Sequence, residues 1–224
     1  MSMKASIFLV AAISMSLGSP VAFDANWVPS SPEVSTYRSA SGSAGELYQL
    51  AIVKHSSTIE TYIDIASPGF MKFISGSMTL GMVPLHSTGK ILIGGQIEIN
   101  TDIQYGDNKL KVNTVMNPIN QTLSAEAPWS GQIVDIAQTP FLLRMLPLGT
   151  GAQFDFTSLN PRTNKIAPMH VSVTGEEAML KVDSYRVDCH DFEGESVYWI
   201  EKAAPHRILR IEQPAQHRTL DLVM

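Results

Sequence analysis

The amino-acid sequence predicts an all-β protein with one short accessory helix. From residue 46 onward, short apolar runs rich in Ile, Val, Tyr and Thr are separated by Gly, Pro, Asn and Asp, which is typical of antiparallel strands joined by turns. Apolar and polar residues also alternate within runs, as in residues 96–100 and 109–113. This pattern predicts strands with one buried face and one solvent-exposed face. Helical spacing of apolar residues occurs in one segment, which prolines interrupt.

The N-terminal residues have the pattern of an export signal. Lys4 precedes an apolar segment at residues 5–17, and small and helix-breaking residues follow it. This segment is shorter than the about 20 residues that a membrane-spanning helix needs. We therefore assign residues 1–22 to a signal peptide and expect a periplasmic or extracellular mature protein without a transmembrane anchor. The single cysteine, Cys189, allows no intramolecular disulfide, which fits a bacterial periplasm or cell exterior.

The rest of the chain is predicted to form one domain. Residues 23–45 are rich in Ser and Pro and are interpreted as an extended N-terminal lead-in, with Trp27 and Tyr37 as anchors. Residues 46–224 are assigned to a single β-rich domain, long enough to bury a hydrophobic core. A net charge of −5 and dispersed basic residues argue against a nucleic-acid partner.

Three β-hairpins are predicted from turn residues. The clearest has Gly94 and Gly95 at its tip, because glycine adopts the positive φ angles of a two-residue turn. A second is centred on residues 106–108 and a third on residues 192–195.

The predicted helix spans about residues 133–145. Its apolar residues Ile136, Phe141, Leu142 and Met145 can share one face that covers a sheet. Pro140 and Pro147 limit it, so we expect a short or broken helix that ends before Pro147.

No reaction centre is apparent in the sequence. Cys189, His190 and Asp191 provide a thiol, an imidazole and a carboxylate, but neighbouring residues of a strand point to opposite faces and cannot form a relay. The acidic residues that follow do not have the spacing of a calcium loop, and the other histidines stand singly. We expect a protein with no enzymatic activity, cofactor or metal, and keep a hydrolase using Cys189 or His190 with distant partners as a remote alternative.

The second half of the chain carries a pattern of ordered segments over about residues 140–212. They are Leu146-Pro147-Leu148, Val171-Ser172-Val173-Thr174-Gly175-Glu176 and Tyr198-Trp199-Ile200-Glu201-Lys202. This order resembles a family of exported bacterial proteins of unknown function. The resemblance implies a strongly curved antiparallel sheet or partial barrel, similar in architecture to periplasmic lipoprotein carriers, in which a helix plugs an apolar concavity. It implies no catalytic residues.

The resulting hypothesis is an exported binding protein that holds a hydrophobic or lipid-like ligand on the concave face of the sheet. Adaptable methionines and aromatic residues suit such a ligand, although filling an ordinary core is their commoner use. An alternative is a cell-envelope scaffold or protein-interaction module that binds an envelope protein through an exposed edge strand. The candidate ligand-binding residues are Phe141, Leu142, Met145, Phe154, Phe156, Tyr198 and Trp199.

Overall fold

A computed structural model describes residues 21–39, 45–106, 108–129, 133–161, 163, 165–191 and 193–223. The signal peptide expected at residues 1–22 lies outside these ranges, apart from Val21 and Ala22. The strands are β1 Glu33–Ser39, β2 Leu47–Lys54, β3 Thr58–Ser67, β4 Phe70–Thr79, β5 Pro84–Ile93, β6 Gln96–Tyr105, β7 Lys109–Met116, β8 Gln121–Pro128, β9 Ile133–Asp135, β10 Gln153–Asn160, β11 Lys165–Met179, β12 Val182–Asp191, β13 Gly194–Glu201, β14 Ile208–Gln213 and β15 Arg218–Leu222. The single α-helix, α1, is Thr139–Arg144, and short 3-10 helices occupy Asn117–Ile119, Ile136–Gln138 and Pro214–Gln216.

All strands belong to one sheet, in the order β8-β7-β6-β5-β4-β3-β2-β1-β15-β14-β13-β12-β11-β10-β9. Neighbours are antiparallel, except that β9 and β10 run parallel. The sheet therefore consists of two meanders, β1–β8 and β10–β15, which join in its middle through the pair β1–β15. The sheet is not closed into a barrel, because no pairing joins β8 to β9 among the described residues. The predicted all-β fold, with an open curved sheet and one short helix, is confirmed.

The ends of the curved sheet approach each other through side chains. Leu159 of β10 packs in one cluster with Ile103 of β6 and Val112 of β7. The Thr114 hydroxyl of β7 donates to the carbonyl oxygen of Pro161, just after β10, at 2.9 Å. These contacts make the sheet a partial barrel that encloses an interior.

The three predicted hairpins are present. Gly94 and Gly95, at φ 58° and 83°, connect β5 to β6 in the left-handed region that glycine tolerates best. β6 and β7 form the second hairpin, and β12 and β13 form the third. Asp107 and Phe192, at the tips of these two turns, lie outside the described residues.

The helical segment begins later than the sequence predicted. A start near residue 133 is wrong, because Ile133–Asp135 pairs with β10 as strand β9. The Asp135 carboxylate then accepts a hydrogen bond from Ala137 N at 3.0 Å, which favours the helical turn Ile136–Gln138. Helix α1 ends before Pro147, as predicted. We call β9, Ile136–Gln138 and α1 together the crossing segment.

The crossing segment fills part of the concave side of the sheet. Phe141, Leu142, Leu143 and Met145 have no solvent exposure and belong to one cluster with apolar residues of both meanders. Burial of four such side chains supplies most of the energy that holds a helix this short in place.

Arg144 fastens the end of α1 to distant parts of the chain. Its buried guanidinium donates to Glu33 Oε1 at 2.8 Å and to the carbonyl oxygens of Pro205 and His206 at 2.9 and 3.0 Å. It also stacks 4.5 Å from the ring centre of Trp27. Trp27 and Tyr37 are both buried, and the segment interpreted as a lead-in contains β1, which pairs with β2 and β15.

Candidate ligand-binding site

A cavity of about 530 Å³ lies on the concave side of the sheet, next to the crossing segment. One wall comes from β2 to β6. The opposite wall includes Asn160, Tyr198, Gln213 and Arg218, which belong to the second meander. Ile136, Ala137 and Pro140 of the crossing segment border the cavity as well.

The strand registers arrange the first wall in rows of residues that lie side by side. The outermost of these rows, which we call the rim row, contains Tyr48, Ile65, Lys72, Ile91 and Ile99, one from each of five consecutive strands. Lys72, Ile91 and Ile99 are half-buried, so this row borders solvent.

The next row, which we call the middle row, contributes Ile63, Ile74, Gly89 and Thr101 to the cavity wall. Gly89 leaves room, because a Cβ atom there would meet only the Cβ of Thr101, at 3.9 Å. The middle row thus presents the apolar side chains of Ile63 and Ile74, with a gap at Gly89.

The third row, which we call the floor row, holds the crossing segment and ends the cavity. Thr61 and Ser87 of this row donate from their hydroxyls to Gln138 Oε1 at 2.5 Å and to Asp135 Oδ2 at 2.9 Å. Gly76 lies between them, and a Cβ atom at this position would be 2.7 Å from the Gln138 Cδ. A side chain at residue 76 would therefore displace the Gln138 amide group from its present position against the sheet.

Asp135 places a carboxyl group at the inner end of the cavity. The residue is 2 % exposed, and its oxygens accept hydrogen bonds from Ser87 Oγ and Ala137 N. Burial raises the pKa of this carboxyl, and the two hydrogen bonds and the positive charge of Lys72 oppose the rise.

The wall that the second meander contributes consists mainly of polar side chains, which surround the aromatic ring of Tyr198. Tyr198 is buried, and burial raises its phenol pKa. Glu193 accepts a hydrogen bond from Asn160 Nδ2 at 2.8 Å. Arg218 lies 5.2 Å over the ring of Tyr48, and its guanidinium bonds Gln213 Oε1 at 3.2 Å and the carboxylate of Glu46.

Of the candidate ligand-binding residues, Tyr198 lines this cavity. Phe141, Leu142 and Met145 lie in the core, fully buried.

The remaining candidates lie at other places on the second meander. Phe156 is buried and stacks on Phe23 at 6.2 Å, and Phe154 is a half-buried neighbour of the same core. Trp199 follows Tyr198 in β13 and therefore faces the other side of the sheet, where its indole Nε1 donates to Glu177 Oε1 at 2.6 Å. A ligand contact at these residues stays a prediction.

The sequence analysis missed the isoleucines of β3 to β6. Their alternation is visible in the sequence, but it does not reveal that this face borders an open space. The isoleucines that line the cavity are Ile63, Ile65, Ile74, Ile91, Ile99 and Ile103 on the sheet and Ile136 on the crossing segment.

Cys189 has the environment of a core residue. It is 2 % exposed, and burial raises the pKa of its thiol to about 12, which is the opposite of an activated nucleophile. His190 is exposed on the other face of β12. Within the described ranges, no group of three or more His, Cys, Asp or Glu residues could hold a metal ion.

No protein-family model, no curated protein and no solved structure matches this chain. The helices of the described part of the chain are all too short to cross a bilayer.

Proposed function

We propose that this protein is an exported, non-catalytic binding protein that holds a hydrophobic or lipid-like ligand in the cavity beside the crossing segment. The observation that carries the proposal is an about 530 Å³ space lined by isoleucines from four strands and from the crossing segment. This volume lies within the range of about 300–1,000 Å³ that small-molecule sites occupy.

The position of the cavity supports a ligand site rather than a packing defect. Phe141 and Leu142 of the crossing segment are fully buried in the core cluster, and neither of them lines the cavity. Lys72, Ile91 and Ile99 of the rim row are half-buried, which gives a ligand a route to Ile63 and Ile74 without unfolding. Moving apolar ligand surface from water to these side chains is favourable by roughly 25 cal/mol per Å².

Displacement of a fluorescent fatty acid tests ligand binding, together with native mass spectrometry of protein purified from its own host. We expect bound lipid in the spectrum and displacement of the fluorophore by unlabelled fatty acid. Gly89→Leu places a side chain in the gap of the middle row and is expected to weaken binding about tenfold or more. Gly149→Leu is the matched control, because this glycine also has open space around it and does not line the cavity. Clean ligand-free protein without displacement would contradict the proposal.

Export is tested separately by N-terminal sequencing of the protein from fractionated cells. The apolar segment at residues 5–17 after Lys4 supports removal of a signal peptide, with a cut after Gly18 or after Ala22. A chain that keeps these residues and stays inside the cell would refute export and leave ligand binding as a separate question.

A second candidate function is binding of an envelope protein at the edge strand β8. Within the described part of the sheet, β8 pairs only with β7, so one side of its backbone is open to strand addition. A photo-crosslinking residue at the exposed Thr122 would test this in cells. One specific protein adduct, without lipid in the cavity, would favour this function over ligand binding.

A further inference from the structure

The convex face of the first meander, which points away from the crossing segment, exposes apolar side chains that lie side by side. Met71 and Phe73 of β4 point to this face, because Ile74 points to the cavity on the other face. They are 45 % and 40 % exposed. Met71 belongs to an apolar row with one residue from each strand of β2 to β6, which we call the convex row: Leu47, Ala66, Met71, Leu92 and Ile97. None of these five side chains is buried, and a continuous exposed apolar surface of this kind marks a site of interaction with another molecule.

The row next to the convex row carries one acidic and one basic side chain at equal distances from β4. Asp64 of β3 and Lys90 of β5 are the direct cross-strand neighbours of Phe73. Their backbones are therefore roughly 10 Å apart, with Phe73 between them. Both side chains are exposed, and neither forms an ion pair or a side-chain hydrogen bond within the part of the chain that the structure describes. Both charges are thus available to a second molecule.

This arrangement is self-complementary under a two-fold rotation. When two copies pack their convex faces together around an axis parallel to β4 and between the sheets, β3 of one copy lies opposite β5 of the other. Asp64 then faces Lys90 of the second copy on both sides of the axis, and Phe73 faces its own counterpart. The same rotation places each member of the convex row opposite another apolar member. Two convex surfaces touch mainly near the axis, which is where Phe73 and both charges lie.

We propose that two copies of this protein form a symmetric dimer through these convex faces, in which the convex row and Phe73 pack together and two Asp64–Lys90 pairs fix the register. A two-fold interface requires one patch to contain the complement of each of its own groups, and this patch does. A lipid bilayer would instead leave Asp64 beside hydrocarbon without a fixed cation, which is unfavourable. The cavity lies on the other face of the same strands and stays accessible in the dimer, so this inference goes beyond the proposed function and does not depend on it.

Charge reversal tests the pairing of Asp64 with Lys90. Asp64→Lys and Lys90→Asp each place like charges opposite each other on both sides of the axis, and each should weaken dimerisation about tenfold or more. The double variant Asp64→Lys/Lys90→Asp restores opposite charges at the same positions and should recover the wild-type dissociation constant. Sedimentation velocity over a series of protein concentrations measures that constant. Lys165→Asp, which reverses an exposed lysine of β11 in the other meander, is the matched control and should leave dimerisation unchanged.

A cysteine on the axis tests the geometry independently. Met71 lies on β4, so the proposed rotation places it opposite its own counterpart. Met71→Cys should therefore give covalent dimers with a short bismaleimide reagent. Lys165→Cys provides an equally exposed thiol away from this face, which should react with the reagent and stay monomeric on a denaturing gel. Circular dichroism shows whether each variant keeps the β-sheet.

Sedimentation of the wild-type protein as a monomer at every concentration overturns the dimer. If this monomer floats with vesicles of phosphatidylethanolamine and phosphatidylglycerol, and Phe73→Ser abolishes flotation, the convex face binds a membrane and the dimer is wrong. A dimer that both single reversals leave intact, or that the double variant does not restore, uses another surface or register and overturns the inference as well. Fatty-acid displacement from the cavity is measured separately, so none of these results decides the proposed function.

Discussion

At the scale of single residues, Gly76 sets how closely the crossing segment approaches the sheet. We expect Gly76→Ala to lower the free energy of unfolding by about 1–3 kcal/mol, because the added methyl group displaces Gln138 and breaks its hydrogen bond with Thr61. Urea denaturation followed by circular dichroism measures the change. Gly89→Ala, in the next strand, is the matched control and should stay within about 0.5 kcal/mol of the wild type. Equal stability of all three proteins would contradict the close approach.

Asp135 makes the free energy of unfolding depend on pH, and the direction of this dependence follows from its raised pKa. Burial raises the pKa of the folded carboxyl above the value of about 4 in an unfolded chain. Between these two pKa values the folded state keeps a proton that the unfolded state has lost, so the free energy of unfolding falls as pH rises through this window.

Replacing this carboxyl removes its contribution. We expect Asp135→Asn, which does not ionise, to gain stability relative to the wild type as pH rises above about 4, as measured by urea denaturation at several pH values up to about 7. A difference between the two proteins that stays constant over this range would refute a raised pKa at Asp135.

At the scale of elements, the two faces of the crossing segment contact different parts of the molecule. Leu142 is fully buried against the core, whereas Ile136 is half-buried and lines the cavity. Leu142→Ala should cost about 2–5 kcal/mol of folding stability, because it leaves a hole in the core.

Ile136→Ala serves as the comparison within the same segment. We expect it to change stability by less than about 1 kcal/mol and to weaken binding of an apolar fluorophore. Urea denaturation measures the stability of both variants, and titration with the fluorophore measures their binding. Loss of stability in Ile136→Ala as large as in Leu142→Ala would mean that the cavity face is part of the core.

The elements also show how far the sequence could predict this structure. The turn at Gly94 and Gly95 was predictable because positive φ angles are a local requirement. Alternation of apolar and polar residues correctly identifies side chains that share one face of a strand. It does not show whether that face packs against the core or borders a cavity. Leu50 and Ile74 belong to the same row of the sheet, for example, but of these two only Ile74 borders the cavity. That difference depends on where the crossing segment docks, which no local pattern specifies.

Trp199 shows a second limit of sequence reasoning. As an apolar residue next to Tyr198 it was a candidate ligand contact, yet its indole lies on the opposite face, near the guanidinium groups of Arg186 and Arg210. β13 is covered on both faces, so consecutive buried residues replace the alternation that would have separated the two sides.

At the scale of the whole molecule, Cys189 reports on global unfolding. Its thiol is buried in the core cluster with a raised pKa, so we expect a thiol reagent to react very slowly with the native protein. Labelling should become fast at the urea concentration at which the β-sheet signal is lost. Thr122→Cys, on the exposed edge strand, provides a control thiol that reacts without urea. Rapid native labelling of Cys189 would show that the core opens locally.

The pairing of β1 with β15 affects the order of assembly. Each meander can form progressively from adjacent hairpins, but Tyr37 meets Leu222 only when the last strand is available. A ribosome-bound chain that lacks β15 would therefore carry two separate half-sheets, each with an open edge at Tyr37 or at β14. Those edges are sites for mispairing with other chains. A holdase chaperone that binds them before synthesis is complete would prevent such mispairing.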